Sequence, residues 1–415
     1  MSFNLPYGII DQIIDTVGEG KDTNLLKELS LVSHSFHQIC CKHLFASVEL
    51  HDADPKHHIA SSKKGFVKLL KRRPHIVEYI RNLKYEVSDN NNDDRRLLHI
   101  LPKLLQTISC LNCLTIVGSR MHWDTLDSAL TSALLYLMHL PTINHIDLSI
   151  IRNFPPASLT PSVNLLRLDI NDVEPPKEIV VQLEMMPRIR EFRTSNSTWM
   201  TRRLLRVKTQ DGQPAFNLTD LRRLSICLGD EQNIRCLLQN SKLLEELHLS
   251  TSELYQDQRL DGLHDILSAS AGTLKVLGLR IILFEFYDGS TDQVFEGLCR
   301  ELEAMAGDDN KLEALSLEVK VVRDQTPDYI GSMIQNLEKV LVKPGWSSLR
   351  QVSIKVPVAC CLEIEEISGT GKVEELKSLL PDKFLSQLSK LESVSLNFSS
   401  YTVCVCYTKP FCPHV

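Results

Sequence analysis

"INHIDL" (Ile143–Leu148) and, 22 residues later, "LLRLDI" (Leu165–Ile170) share one pattern: apolar residues at the first, fourth and sixth positions. The fourth and sixth flank a polar fifth. Strand side chains alternate between faces, so the pair points into a core and the residue between them points out. The first apolar residue anchors the turn that leads into the strand.

The pattern recurs along the chain. Further copies are "LNCLTI" (Leu111–Ile116), a weak "IREFRT" (Ile189–Thr194), "LRRLSI" (Leu221–Ile226), "LEELHL" (Leu244–Leu249) and "LKVLGL" (Leu274–Leu279). "LEALSL" (Leu312–Leu317), "LRQVSI" (Leu349–Ile354) and "LESVSL" (Leu391–Leu396) complete the series, and "IRNLKY" (Ile80–Tyr85) is an imperfect first copy. Helix-like stretches precede many of them, for example "ALLYLMHLPT" (Ala133–Thr142), "LCRELEAMAG" (Leu298–Gly307) and "MIQNLEKVLV" (Met333–Val342). One helix–strand unit cannot bury its leucines alone, so each needs neighbours. The expected fold class is therefore an α/β repeat solenoid with a parallel sheet lining its concave face. A non-repetitive α/β fold built from similar units is the alternative.

Regular repeats of this kind place Asn or Cys three residues after the motif. Here those positions read Ser119, Ile151, Val173 and Ser197 in the first four full copies, and no ladder of such residues is expected. By the strand register, the residues facing out of the core include Asp147, Asp169, Arg193 and His248, with their neighbours Arg167, Arg223 and Glu246 in the same sheet rows. These seven are the candidate substrate-facing residues, because concave repeat surfaces bind proteins or extended peptides.

The first fifty residues read differently. In "LPYGIIDQIIDTV", Pro6 suits a first helical turn. Ile9, Ile10, Ile13, Ile14 and Val17 then repeat at helical spacing, with Asp11, Gln12 and Asp15 opposite. After the loop "GEGKDTN", "LKELSLVSHSFHQICCKHLF" (Leu26–Phe45) continues the apolar periodicity with a break near Ser33. Three helices of this length are marginal as a free-standing unit, and their apolar surface is generous, which argues for docking on something else.

Leu5-Pro6, the Ile9-Ile10-x-x-Ile13-Ile14 run and "LSLVSHSFHQICCKHLFASVEL" together resemble an F-box-like domain, and the wide-spaced repeats resemble the degenerate leucine-rich repeats that follow such domains, as in the expanded families of mushroom-forming fungi. The resemblance implies a small all-α three-helix F-box-like domain followed by an irregular leucine-rich-repeat horseshoe. It implies a substrate-recognition subunit of an SCF-type ubiquitin ligase, not itself an enzyme. Leu5, Pro6, Ile9, Ile10, Ile13, Ile14 and Leu31 would contact the Skp adaptor or support that contact, and the repeat surface would hold a protein substrate. The alternative is a repeat scaffold with no ligase role, its N-terminal helices acting as a cap. The expected organisation is 1–50 helical domain, 51–79 linker helix region, 80–400 repeats and 401–415 irregular Cys-containing tail.

Composition is consistent with a partner-binding role inside the cell. The net charge of −6 is spread over both signs, which is no footprint for nucleic acid. The N-terminus lacks a basic n-region, no apolar run approaches membrane-spanning length, and twelve cysteines without a secretory signal suggest reduced thiols in cytosol or nucleus. "KKGFVKLLKRRPH" (Lys63–His75) is basic, with apolar residues interleaved as in an amphipathic linking helix. "VSDNNNDDRR" (Val87–Arg96) reads as a polar, turn-prone insertion.

Catalytic motifs do not assemble. Gly18-Glu19-Gly20-Lys21 and Gly369-Thr370-Gly371-Lys372 lack the extra Gly and the following Ser or Thr of a phosphate loop. Cys110 and Cys113 form a single C-x-x-C and are expected to pack around the start of their strand. His34, His37 and Cys41 offer three helical ligands at most, one short of a structural zinc site, whereas Cys404, Cys406, Cys412 and His414 place four soft ligands within eleven residues of the tail, so that zinc there is the alternative to an irregular end. No metal or cofactor is expected.

Overall fold

The fold was obtained as a computed structural model that describes residues 7–20, 22–51, 62–87, 95–177, 188–206, 217–227, 237–238, 241–250, 267, 270, 272–284, 291–307, 310–322, 327–360 and 395–404. The chain is an α/β protein whose strand pairings are parallel. It divides into two compact units, one of residues 1–189 with 194–217, the other of residues 190–193 with 218–415.

The first unit opens with three helices: α1 (Tyr7–Glu19), α2 (Thr23–Leu29) and α3 (His34–Leu44). Asp22 caps α2 by accepting from Leu25 N at 3.0 Å, and Ser33 caps α3 by accepting from Phe36 N at 3.3 Å. That second cap is the expected break near Ser33. Ile14, Leu26, Ile39 and Cys40 close a small core, with Ile10, Val17, Leu29, Phe36 and Leu44 packed around it.

The histidines of α3 tie helices together. His43 Nε2 meets Asp15 Oδ1 at 2.7 Å, and its ring lies so close over Gly18 that a β-carbon there would collide with it. His37 Nε2 meets the Arg73 guanidinium at 2.7 Å and Cys41 Sγ at 3.6 Å.

Strands β1 (Ser47–Leu50), β2 (Asn82–Val87), β3 (Cys113–His122), β4 (His145–Arg152) and β5 (Arg167–Val173) follow, each paired with the next. The sheet thus begins at Ser47, inside the first fifty residues, where Glu49 stands opposite Lys84 and Thr115 continues the row. Helices α4 (Lys63–Arg72), α5 (Arg95–Leu105) and α6 (Ser128–Met138) lie between strands in the chain. The basic segment at Lys63 is the amphipathic helix its spacing predicts. Lys63 itself is buried, with its ammonium 4.9 Å from the centroid of the Tyr85 ring.

β6 (Glu191–Ser195) lies across the division of the chain, and α7 (Thr198–Arg206) closes the first unit. The second unit carries β7 (Arg223–Cys227), β8 (Glu246–Ser250), β9 (Val276–Phe284), α8 (Thr291–Met305), β10 (Ala314–Val322), α9 (Pro327–Leu341), β11 (Gln351–Cys360) and β12 (Ser395–Cys404). Strands β7 to β12 pair in chain order.

The repeating pattern accounts for the packing. The first-position residues Leu111, Ile143, Leu165, Leu221, Leu244, Leu274, Leu312 and Leu349 are buried, as are the fourth and sixth positions from Leu114 and Ile116 to Val352 and Ile354. Each fully buried aliphatic side chain stabilises the fold by roughly 1.5–3 kcal/mol.

Strand starts share one backbone device. The carbonyl of Asn144 accepts from both Leu166 N and Arg167 N at 2.9 Å, and those of Asn112, Arg222, Glu245, Lys275 and Glu313 do the same for their next strands.

Two details depart from the expected register. The last copy is offset by two residues, since Ser353 pairs with Asn397 whereas the pattern matches it to Ser395. An even offset keeps the same residues facing out. In β3 a bulge between Val117 and Met121 puts Met121, not Ser119, opposite Ile151. Gly118 permits it, because a β-carbon there would sit 2.5 Å from the Ile150 carbonyl oxygen.

Of the positions three after the motif, Ser119 is exposed, whereas Ile151, Val173 and Ser197 are buried and each of these three follows a left-handed residue: Ile150, Asp172 and Asn196. Ser197 Oγ accepts from Val173 N at 2.9 Å. A single rung of the ladder that the sequence lacked is therefore made by a serine.

Candidate functional site

Polar clusters form on the outward faces of the strands, among them Glu49, His51, Lys84 and Glu86 at β1 and β2, and two hold expected substrate-facing residues, one in each unit. The first is built on β3, β4 and β5, where register sets Cys113 beside His145 and His145 beside Arg167, with Thr115, Asp147 and Asp169 in the next row. Flanking residues Leu114, Ile116, Ile146, Leu148, Leu168 and Ile170 are buried, which fixes these polar groups on the opposite face.

Cys113 Sγ lies 3.1 Å from His145 Nδ1, and His145 Nε2 lies 3.2 Å from Asp169 Oδ2. Arg167 donates to the same carboxylate, from Nη2 to Oδ2 at 2.6 Å and from Nε to Oδ1 at 3.2 Å. Asp147 accepts from Ser149 Oγ at 3.3 Å.

Burial shapes the ionisation of this cluster. It disfavours the His145 imidazolium, yet the bonds to Asp169 and Cys113 outweigh it, and the pKa is pushed up to about 9. Burial also works against the Asp169 carboxylate, but His145 and Arg167 hold it below the usual carboxylate range. Asp147 is raised, first by burial and then by the charge of Asp169. At neutral pH the cluster holds a cationic His145 and Arg167 against Asp169, with Asp147 less well compensated.

The second cluster lies on β6, β7 and β8. Arg223 Nη1 meets Glu191 at 2.9 Å and its Nε meets Glu246 Oε2 at 3.4 Å, while His248 Nε2 meets Glu246 Oε1 at 2.7 Å. Further along the same unit Arg280 bridges to Glu318 at 3.0 Å. A groove of about 360 Å³ runs along the side where these strands start, between Arg222, Glu245, Lys275, Lys311 and Glu313. Its charges are of both signs, and the Arg222–Glu245 bridge of 2.8 Å already satisfies one pair.

Of the seven expected substrate-facing residues, Asp147, Arg167 and Asp169 are therefore brought together in one unit. Arg223, Glu246 and His248 meet in the other, and Arg193 is exposed on β6. Cys113 was missed. It was expected to pack at the start of its strand, yet it occupies the third position of its copy, which shares the outward face with the fifth.

The expected adaptor residues divide by burial. Leu31 is 85% exposed, Ile13 48% and Ile9 43%, joined by Val32 at 64%. Ile10 is partly buried and Ile14 is fully buried in the helical core, so those two support the helix. Leu5 and Pro6 lie outside the described residues, as do Gly369–Lys372, Cys406, Cys412 and His414.

Among the described residues no group of three or more His, Cys, Asp or Glu side chains is placed to hold a metal ion. No described helix is long and apolar enough to cross a membrane. No protein-family model matches the chain, and no curated protein matches it.

Proposed function

We propose that this chain is a protein-recognition subunit of an SCF-type ubiquitin ligase. In this reading the N-terminal helices form an F-box-like domain that docks the Skp adaptor. The remainder is an irregular leucine-rich-repeat solenoid whose outward strand faces receive a protein substrate. Ubiquitin transfer belongs to other subunits.

One observation carries the reading. Leu31, Val32, Ile13 and Ile9 are left to solvent on a helical unit whose own core is already filled by Ile14, Leu26, Ile39 and Cys40. Large apolar side chains surplus to a closed core favour a partner. The polar clusters at Asp147–Arg167–Asp169 and Glu191–Arg223–Glu246 give the strand faces a charge pattern suited to selecting a protein surface.

The second reading is a repeat scaffold whose N-terminal helices act only as a cap. The His37–Arg73 bond favours it, because it ties α3 to the segment that leads towards β2.

Co-expression with a Skp adaptor separates the two. The wild-type chain is expected to co-purify with the adaptor at micromolar concentration, and an Ile9→Asp/Ile13→Asp/Leu31→Asp chain to lose it while keeping its circular dichroism spectrum. A wild-type chain that captures no adaptor overturns the ligase reading.

A further inference from the structure

The thiol, imidazole and carboxylate of Cys113, His145 and Asp169 stand in line across three neighbouring strands, at 3.1 Å and 3.2 Å. We propose that they form a reactive-thiol site that adds small α,β-unsaturated carbonyl compounds. The inference is independent of the ligase reading.

Geometry assigns the roles. The two ring nitrogens of His145 are committed in opposite directions, Nδ1 to sulfur and Nε2 to Asp169, so the carboxylate orients the ring and favours its charged form. Arg167 pins that carboxylate with three contacts of 2.6–3.2 Å, which keeps it from swinging away. The register Cys113–His145 is a direct cross-strand pair, so the backbone itself holds the thiol against the ring.

Among the described thiols, Cys41 also meets an imidazole, that of His37 at 3.6 Å, but Cys41 is buried. Burial pushes Cys40, Cys41 and Cys299 up, Cys299 to about 12 with Glu296 and Glu303 adding to it. Cys113 instead is half-buried on an open face, within reach of a small reagent.

The addition balances without a leaving group. The Cys113 thiol gives up its proton to water, its sulfur attacks the β-carbon and an S–C bond forms. The C=C π pair moves to the α-carbon as an enolate, and the Nδ1 proton of His145 passes to that carbon. His145 then regains a proton from water. His145 is the proton donor of this step and Asp169 the group that positions it; the thiol alone stays bonded to the reagent. Charged groups facing the site are Lys84 and Glu86 on β2, Asp147 on β4, and Arg167 and Asp169 on β5.

N-ethylmaleimide, itself a member of this class, is the probe. The full chain is labelled with a sub-stoichiometric amount and the modified cysteines are mapped by mass spectrometry. Cys110, three residues earlier and also half-buried, is the internal reference. Cys113 is expected to react about tenfold or more faster than Cys110 at pH 7. His145→Gln should bring it to the Cys110 rate with Cys110 unchanged, and Asp169→Asn should lower it in part.

Equal rates in the wild type, or a His145→Gln chain that keeps the fast rate, overturns the proposal. Should His145→Gln unfold, which labelling of Cys40 and Cys41 would report, Asp169→Asn decides: it should slow Cys113 relative to Cys110, and an unchanged ratio overturns the proposal.

Discussion

The His248 ring packs against Gly278, its partner across β8 and β9, so closely that a β-carbon on Gly278 would lie 2.1 Å from Nδ1 of that ring. The glycine at the fifth position of "LKVLGL" is thus the space into which a neighbour's side chain folds. The ring held there reaches Glu246, which in turn meets Arg223.

Gly278→Ala is expected to lift the His248 ring and break its contact with Glu246. The loss should be about 0.5–1 kcal/mol, since the added methyl itself favours strand backbone and offsets part of the damage. In a His248→Ala background the same substitution should be neutral or stabilising. Urea midpoints of the four chains of this cycle measure the coupling, and additive effects would contradict the close approach.

The Cys113–His145–Asp169 cluster makes the first unit sensitive to pH at both ends. The folded-state pKa of His145, about 9, lies above its ordinary 6.5. Its contribution is therefore fully present below about pH 6.5 and disappears as pH rises through about 9. Asp169 is lowered, so its contribution is present above its ordinary 3.8 and is lost as pH falls through its folded value. Urea midpoints from pH 5 to pH 10 should decline above neutrality by about 1 kcal/mol after solvent screening, and His145→Gln should remove that decline.

Ile13 and Ile14 are neighbours with opposite duties. Ile14 is fully buried, so Ile14→Ala should cost about 2–4 kcal/mol and lower the helical signal of the unit. Ile13 is 48% exposed, so Ile13→Ala should change stability by less than about 0.5 kcal/mol. Thermal denaturation of both chains, followed by circular dichroism, tests the contrast. Comparable losses would mean that Ile13 is also part of a packed surface.

Buried hydroxyls hold the turns that precede β8 and β9. Ser270 Oγ donates to the Ser241 carbonyl at 2.9 Å, and Ser241 Oγ donates to the Leu237 carbonyl at 2.6 Å. Ser270→Ala leaves a buried carbonyl without that donor and should cost about 1–2 kcal/mol. Ser270→Cys, with a weak donor of similar size, should lose less. Chemical denaturation of the two chains gives the comparison.

The strands were legible because their cause is local. Alternation around Leu114, Ile146, Leu168, Leu247 and Leu277 is enough to fix which face is buried, and each of these residues is buried. The basic helix at Lys63–Arg72 and the cap at Ser33 were readable for the same reason. What escaped depends on neighbours. The place of Ser47–Leu50 at the end of the sheet is set by its partner at Asn82–Tyr85, and the offset of β12 by its partner β11. Cys113 gains its setting only when His145, 32 residues later, is drawn alongside. The outward positions Asp147 and Asp169 were found as members of a row, but their differing ionisation follows from who donates to each.

The doubly used carbonyls at the strand starts have a consequence for how such a chain can change. Strands β4, β5 and β8 to β11 are each seated through backbone on a peptide oxygen at the start of the strand before, as Asn144 does for Arg167 and Lys275 for Ala314. Strands that begin 22 residues apart, at 145 and 167, and 38 apart, at 276 and 314, are seated by the same contact. Length is thus uncoupled from alignment. A return segment can be lengthened or shortened without sliding the outward residues past one another, so the pattern offered to a partner and the bulk behind it are free to vary separately.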